Sequence, residues 1–308
     1  MAIVPTDVPM TSALCAQTIE ALVRRYPAIA ADILTTTAFG RRVQALTIGR
    51  GERKVLYSAA HHANEWITTP VLLKFLEELA QAAEAGGTIF GVPAQTILNA
   101  ATIYAVPMVD PDGVDLVTGA IEPGTLEYET ARTLADNYPN IPFPNGWKAN
   151  LLGVDLNLQY PAGWLHAREI KFAQGFTRPG PRDYVGRAPL NQRESIALAR
   201  YTEEVDPDLV IAFHTQGEVI YWQFGGFFVP GARELAEEFS RLSGYALEDT
   251  PYASSFAGYK DWFIQNWRRP GFTIESGLGE SPLPLSQFPE IYKANLGILV
   301  TAATGLPA

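Results

Sequence analysis

The chain has 308 residues, 47% of them hydrophobic and 18% charged, with 23 Lys and Arg against 33 Asp and Glu and a formal charge of −10. This is the composition of a globular protein long enough to bury about 75% of its unfolded surface in one domain. It excludes the basic footprint of a nucleic-acid binder, a membrane span of ~20 apolar residues and, with Cys15 as the single cysteine, both an internal disulfide and a cysteine-based zinc site.

The first basic residue is Arg24, so no charged segment precedes an apolar run, and the chain is expected in the cytoplasm. Residues 11–33 carry apolar positions at helical spacing (Leu14, Ile19, Leu22, Val23, Tyr26, Ile29), which predicts one or two short helices ending near Pro27. Cys15 falls near their start and is expected as a small buried hydrophobe. Ala45-Leu46-Thr47-Ile48 and Val55-Leu56-Tyr57-Ser58 flank a Gly-containing turn and fit a hairpin.

An amphipathic helix is expected over 67–85, from Val71, Leu72, Phe75, Leu76 and Leu79, and a buried strand over 102–107, ended by the turn Asp110-Pro111-Asp112-Gly113. Residues 119–150 show little periodicity and are expected as a long surface excursion, of the kind that often frames a site. Helices follow at 191–204, 231–243, from Tyr259, and at 287–303, with strands at 209–213 and 271–274. Strands alternate with helices, so one α/β domain over 1–308 is expected: a mixed, mostly parallel twisted sheet with helices on both faces and residues 1–40 as a helical lead-in.

His62 and Glu65 stand three residues apart on the turn between a strand and a helix, where an imidazole and a carboxylate can converge on one ion. A catalytic zinc takes three protein ligands and keeps one position open, so a third ligand is needed. The chain has four histidines: His61, His62, His166 and His214. His214 ends an apolar strand, at the sheet edge where open α/β proteins bind ligands; it is either a core histidine or faces the crevice of His62. Glu275 ends the apolar strand Phe272-Thr273-Ile274, where a carboxylate is costly unless paired, coordinated or catalytic. As a general base it could take a proton from water and hand it to a leaving amine, as amide hydrolysis requires.

His62-Ala63-Asn64-Glu65-Trp66-Ile67-Thr68, Val109-Asp110-Pro111-Asp112-Gly113, Gly153-Val154-Asp155-Leu156-Asn157, His214 and Phe272-Thr273-Ile274-Glu275 together resemble zinc carboxypeptidases of the pancreatic carboxypeptidase type, over roughly residues 40–300. The resemblance implies one zinc ion held by His62, Glu65 and His214, with Glu275 as general base. His61 has the wrong spacing to Glu65 and is a neighbour; His166 has no counterpart and is expected on the surface. Trp66, Tyr221 and Trp222 are expected to pack.

Departures from the family pattern concern substrate. Where carboxypeptidases usually carry Asn-Arg to bind a terminal carboxylate, Asn157 is followed by Leu158, which offers no salt bridge. Lys148, nine residues before Asn157, matches an arginine that polarises the scissile carbonyl in part of the family; Asn150 could supply a hydrogen bond instead. Ala257-Gly258-Tyr259-Lys260-Asp261-Trp262 resembles the family segment whose residue before Asp-Trp forms the floor of the pocket for the side chain after the cleaved bond, which implies that place for Lys260. It either receives a substrate carboxylate or forms a structural salt bridge, for example to Glu280. The substrate-contacting tyrosine of the family corresponds best to Tyr252, with Tyr259 as the alternative.

Trp147-Lys148-Ala149-Asn150, the run from Gly153 to Trp164 and Phe213-His214-Thr215-Gln216-Gly217-Glu218 are most similar to the bacterial γ-D-glutamyl-diaminopimelate peptidase branch. That implies a zinc peptidase acting on a muropeptide, with no nucleic-acid partner. An ordinary carboxypeptidase, a zinc deacylase of small amino-acid derivatives and a catalytically silent binding protein are the alternatives.

Overall fold

A computed structural model describes residues 2–306. Its centre is an eight-stranded sheet of β1 (Ala30–Thr36), β2 (Arg42–Gly49), β3 (Arg53–Ala59), β4 (Ala101–Val106), β5 (Leu209–His214), β6 (Val219–Tyr221), β7 (Ala246–Leu247) and β8 (Gly271–Glu275). In space the order is β1-β2-β4-β3-β5-β8-β6-β7. The four middle strands β4, β3, β5 and β8 are mutually parallel, while β1 on β2, β2 on β4 and β6 on β8 are antiparallel. Middle strands are covered on both faces, which is why β5 reads as an unbroken apolar run with every residue buried.

Ten helices follow in chain order: α1 (Ser12–Arg25), α2 (Thr68–Ala85), α3 (Ala94–Ala100), α4 (Pro111–Val117), α5 (Leu126–Ala135), α6 (Trp164–Ala173), α7 (Arg193–Val205), α8 (Ala232–Ser243), α9 (Tyr259–Trp267) and α10 (Phe288–Thr304). One face of the sheet, through Val55, Tyr57, Ile211 and Phe213, packs on α1, α2, α3, α8 and α10. The other, through Leu56, Val210 and Ala212, packs on α7 and α9. Alternation of these residues along β3 and β5 follows from the two-residue period of a strand. None of the described helices is long and apolar enough to cross a membrane.

Three sequence expectations are corrected. Strands β2 and β3 do not form a hairpin, because β4 lies between them. Gly49 and Gly51 serve close approach to the start of β4: a Cβ on Gly51 would stand 2.1 Å from the Ala100 carbonyl carbon. The helical lead-in ends with α1, capped by the Thr11 hydroxyl on the Leu14 amide. Residues 30–36, with β-branched Ile33, Thr35 and Thr36, form the edge strand β1 instead of a second helix. The stretch 119–150 contains α5, begun by Thr125, and its Ile121, Ala131, Ala135, Trp147 and Ala149 form a small core with Ala63, Leu116 and Leu151.

The middle strands bring their carboxyl ends to one sheet edge. Glu275 is the register partner of His214, and Phe213 that of Ala59, three residues before His62. Strand β3 leads on to β4 on one side, while β5 leads on to β8 on the other, so the chain reverses direction between β3 and β5. Ligands of open α/β sheets bind at such a switch point.

Candidate metal centre

His62, Glu65 and His214 are gathered at this edge, each offering a ligand atom within 4.8 Å of the others. Residues Ala63–Glu65 make a single 3-10 turn that places Glu65 under His62, and Thr68 locks it: its hydroxyl donates to the Glu65 carbonyl and accepts from the Ala60 amide. His62 Nδ1 is 3.0 Å from Glu65 Oε1, and His214 Nδ1 is 2.8 Å from Glu65 Oε2. The two Nδ1 atoms are 3.3 Å apart. Two nitrogens at ~2.05 Å from a tetrahedral zinc stand about 3.3 Å apart, so the donor set fits zinc in type and spacing.

Electrostatics favour a cation in the middle. Burial would push the Glu65 carboxyl up, but His62, Lys148 and His214 hold it well below the usual carboxylate range. At His62 burial opposes charge, yet Glu65 and Asp155 outweigh it and bring the imidazole to about 9. Asp155 also orients that ring, since its Oδ1 lies 3.2 Å from His62 Nε2 and fixes which ring nitrogen faces the cluster. The same carboxylate accepts from the Asn157 amide, as the cap of the turn Leu156–Leu158. The sequence carried this signal in Asp155-Leu156-Asn157, although no role followed from it.

A cavity of about 200 Å³ opens beside the cluster, lined by His62, Lys148, Asn157, Leu158, Lys260 and Glu275 among others. Glu275 is half-buried and burial raises its pKa. Lys148 Nζ is 2.7 Å from Glu65 Oε1; burial works against its charge and Glu65 more than restores it. Asn157 Oδ1 accepts from the Tyr259 amide. Lys260 is buried with its Nζ 2.5 Å from Asp261 Oδ1 and 2.6 Å from the Gln223 carbonyl oxygen, so its protein partner is Asp261 and not Glu280.

Other sequence candidates fall elsewhere. Asn150 is buried away from the cavity: its Nδ2 donates to Gln192 Oε1, and its Oδ1 accepts from the amides of Leu152 and Val154. Tyr259 is buried with its hydroxyl 2.8 Å from Thr202 Oγ1, whereas Tyr252 is 73% exposed on a turn whose neighbours Pro251 and Ser254 line the cavity. His61 is stacked against His214, and His166 is exposed on α6. Tyr221, expected to pack, lines the cavity. Lys171, Arg182 and Asp183 also line it and were missed; they sit around an aperiodic stretch that the Asp183 amide ties to Asp155 Oδ2.

Residues behind Asn150 give a stability prediction. Glu194, buried at the start of α7, is pushed up from 4.5 to about 7 by burial, with Asp112 adding to the shift. Between those values the fold holds a proton that the unfolded chain has released, so stability falls as pH rises through this window and levels off above it. Glu194→Gln is expected to add about 1–3 kcal/mol at pH 8 and nothing near pH 4. Urea denaturation at both pH values checks this; equal effects would contradict it.

A zinc carboxypeptidase family model matches residues 15–297. The chain belongs to the zinc carboxypeptidase family. Members are metallopeptidases that use zinc, in keeping with the His62, Glu65 and His214 cluster. Among relatives, the γ-D-glutamyl-L-diamino acid endopeptidase 1 of Lysinibacillus sphaericus is 45% identical over 282 residues, covering 92% of this chain and 69% of the relative. Of solved zinc carboxypeptidase folds, thrombin-activatable fibrinolysis inhibitor matches with a TM-score of 0.78 at 16% identity, covering 99% of this chain and 76% of that one. The murein-tripeptide amidase of Escherichia coli O157 matches with a TM-score of 0.55 at 16% identity, covering 90% and 93%. At that identity the two structures speak for the fold.

Proposed function

We propose that this zinc peptidase hydrolyses the amide bond between γ-D-glutamate and diaminopimelate in bacterial cell-wall peptides. One observation carries the choice of substrate: the cavity beside the metal cluster has the apolar Leu158 where a terminal carboxylate would be read, and places the cations Lys148, Lys171, Arg182 and Lys260 elsewhere in its lining, among the carboxylates Asp155, Asp183, Asp261 and Glu275. Such a lining suits a peptide with carboxylates other than its C-terminus. The 45% identical relative is a γ-D-glutamyl-L-diamino acid endopeptidase, which supports the same bond.

His62, Glu65 and His214 would hold the zinc ion, which would supply Lewis acidity for the carbonyl and for water. The remaining steps belong to the chain. Glu275 takes a proton from the attacking water and delivers it to the leaving amine. Lys148 places positive charge beside the developing oxyanion. Asn157 has spent its Oδ1 on the Tyr259 amide, and its Nδ2 is offered to substrate. Tyr252 donates from the rim once substrate is in place. Lys260 donates to the Gln223 carbonyl and is ion-paired with Asp261, and its remaining N–H capacity is turned to the side-chain carboxylate of the diamino acid.

A muropeptide partner, not nucleic acid, agrees with the formal charge of −10. Amidating the C-terminus of a tetrapeptide substrate tests the role given to Leu158. Turnover should stay within about threefold, because no charge-assisted bond is lost; a drop of ~10–100-fold would mark an enzyme that reads the terminal carboxylate.

A further inference from the structure

Arg182 stands where two cavities meet. The first is the cavity beside the metal cluster; the second, of about 350 Å³, is lined by Asn64, Gly146, Thr215, Gln216 and Ser281 among others, and Lys148 and Arg182 are the residues that line both. These two are also the cations of the second lining, whose anion is Glu280. A substrate that extends from one cavity into the other would pass Arg182.

The guanidinium is built in place with part of its capacity unused. Its Nε donates to Asp183 Oδ2 at 2.7 Å, and among the described residues it makes no other hydrogen bond. Its side chain is 41% exposed and lines both cavities. Asp183 is also 2.5 Å from the buried Lys171 ammonium, so one carboxylate serves two cations, and Asp155 and Glu65 act on the guanidinium without a hydrogen bond to it. The segment is fixed to the support of His62 through the Asp183 amide on Asp155 Oδ2.

We propose that Arg182 is a specificity-determining residue that binds the free α-carboxylate of the γ-D-glutamyl residue, on the acyl side of the cleaved bond. This rests on the substrate assigned above. A glutamate joined through its γ-carboxyl keeps its α-carboxylate only a short carbon chain away from the scissile carbonyl, which brings it to the junction of the two cavities. An ordinary α-linked peptide has no carboxylate there. The two Nη donors, which no group among the described residues takes up, match a carboxylate in a bidentate pair. Lys260, in the first cavity only, is left to the diamino acid.

The test compares two tetrapeptides on the zinc-loaded full chain, one with the D-glutamate α-carboxylate free and one with it as a carboxamide. The wild type should favour the free acid by about 10–100-fold in kcat/KM, the size of one charge-assisted pair. Arg182→Gln should lower kcat/KM for the acid by that factor and leave the carboxamide within about threefold, with Arg182→Lys between the two. Equal kcat/KM of the wild type for both peptides would overturn the assignment without any variant. So would a parallel loss on both peptides in Arg182→Gln, or a preference that follows the C-terminal carboxylate instead. Failure of the underlying substrate assignment looks different: the wild type then cuts neither peptide at the γ-glutamyl bond, and the role of Arg182 falls with it.

Discussion

Glu275→Gln is expected to lower kcat on a γ-D-glutamyl-diaminopimelate peptide by roughly 10²–10⁴-fold, while zinc stays bound at one ion per chain. Glutamine keeps the shape of the side chain and removes the basic oxygen. Glu275 ends β8 in register with His214, so its position is set by the parallel ladder and does not depend on its charge. Burial raises its pKa, the direction that makes a carboxylate a stronger base. For the proposed general base, the loss should fall on kcat with little change in KM. Metal content by elemental analysis and steady-state kinetics read both halves. Full turnover in the variant would contradict the assignment, and so would a loss that merely follows lost zinc.

His214→Ala should act through the metal. One of three protein ligands disappears, and if each carries about a third of a zinc binding energy of roughly 10–16 kcal/mol, affinity drops by at least two to three orders of magnitude. Activity should become undetectable at ordinary zinc concentrations. His61→Ala is the matched control. His61 is as buried as His214 and stacks on it at 5.5 Å between ring centroids, but it lies outside the ligand cluster. Its loss should cost stability by opening a cavity and leave the zinc content unchanged. Equilibrium dialysis separates the two; loss of zinc in His61→Ala would mean that the ligand set is wrong.

Much of this site is legible in the sequence because strand ends announce it. His62, His214 and Glu275 each follow a short apolar run, and a parallel sheet brings such ends together without further information. The pairing of strands is less legible: the turn at 49–53 resembles a hairpin because its glycines suit a turn, whereas they allow close approach to Ala100 and Ala101. Ala30–Thr36 reads as helix because Ile29 continues the helical spacing of α1, and edge pairing with β2 decides otherwise.

Side-chain partners are the least legible part. Asn150 has the chemistry to bind substrate, but the turn 150–154 and Gln192 consume its amide. The partner of Lys260 is its own neighbour Asp261, a choice set by rotamer and burial that no spacing rule gives. Arg182 carries no motif at all. Its place depends on the irregular chain between α6 and α7, held by Asp155, and the sequence offers no period there to read.

Digestion of a muropeptide tripeptide and tetrapeptide by the zinc-loaded protein, with products identified by mass spectrometry, tests the central claim most directly. Both peptides should be cut between γ-D-glutamate and diaminopimelate, the tetrapeptide releasing diaminopimelate still joined to its terminal alanine. Removal of that alanine alone, with the γ-glutamyl bond intact in both peptides, would contradict the account.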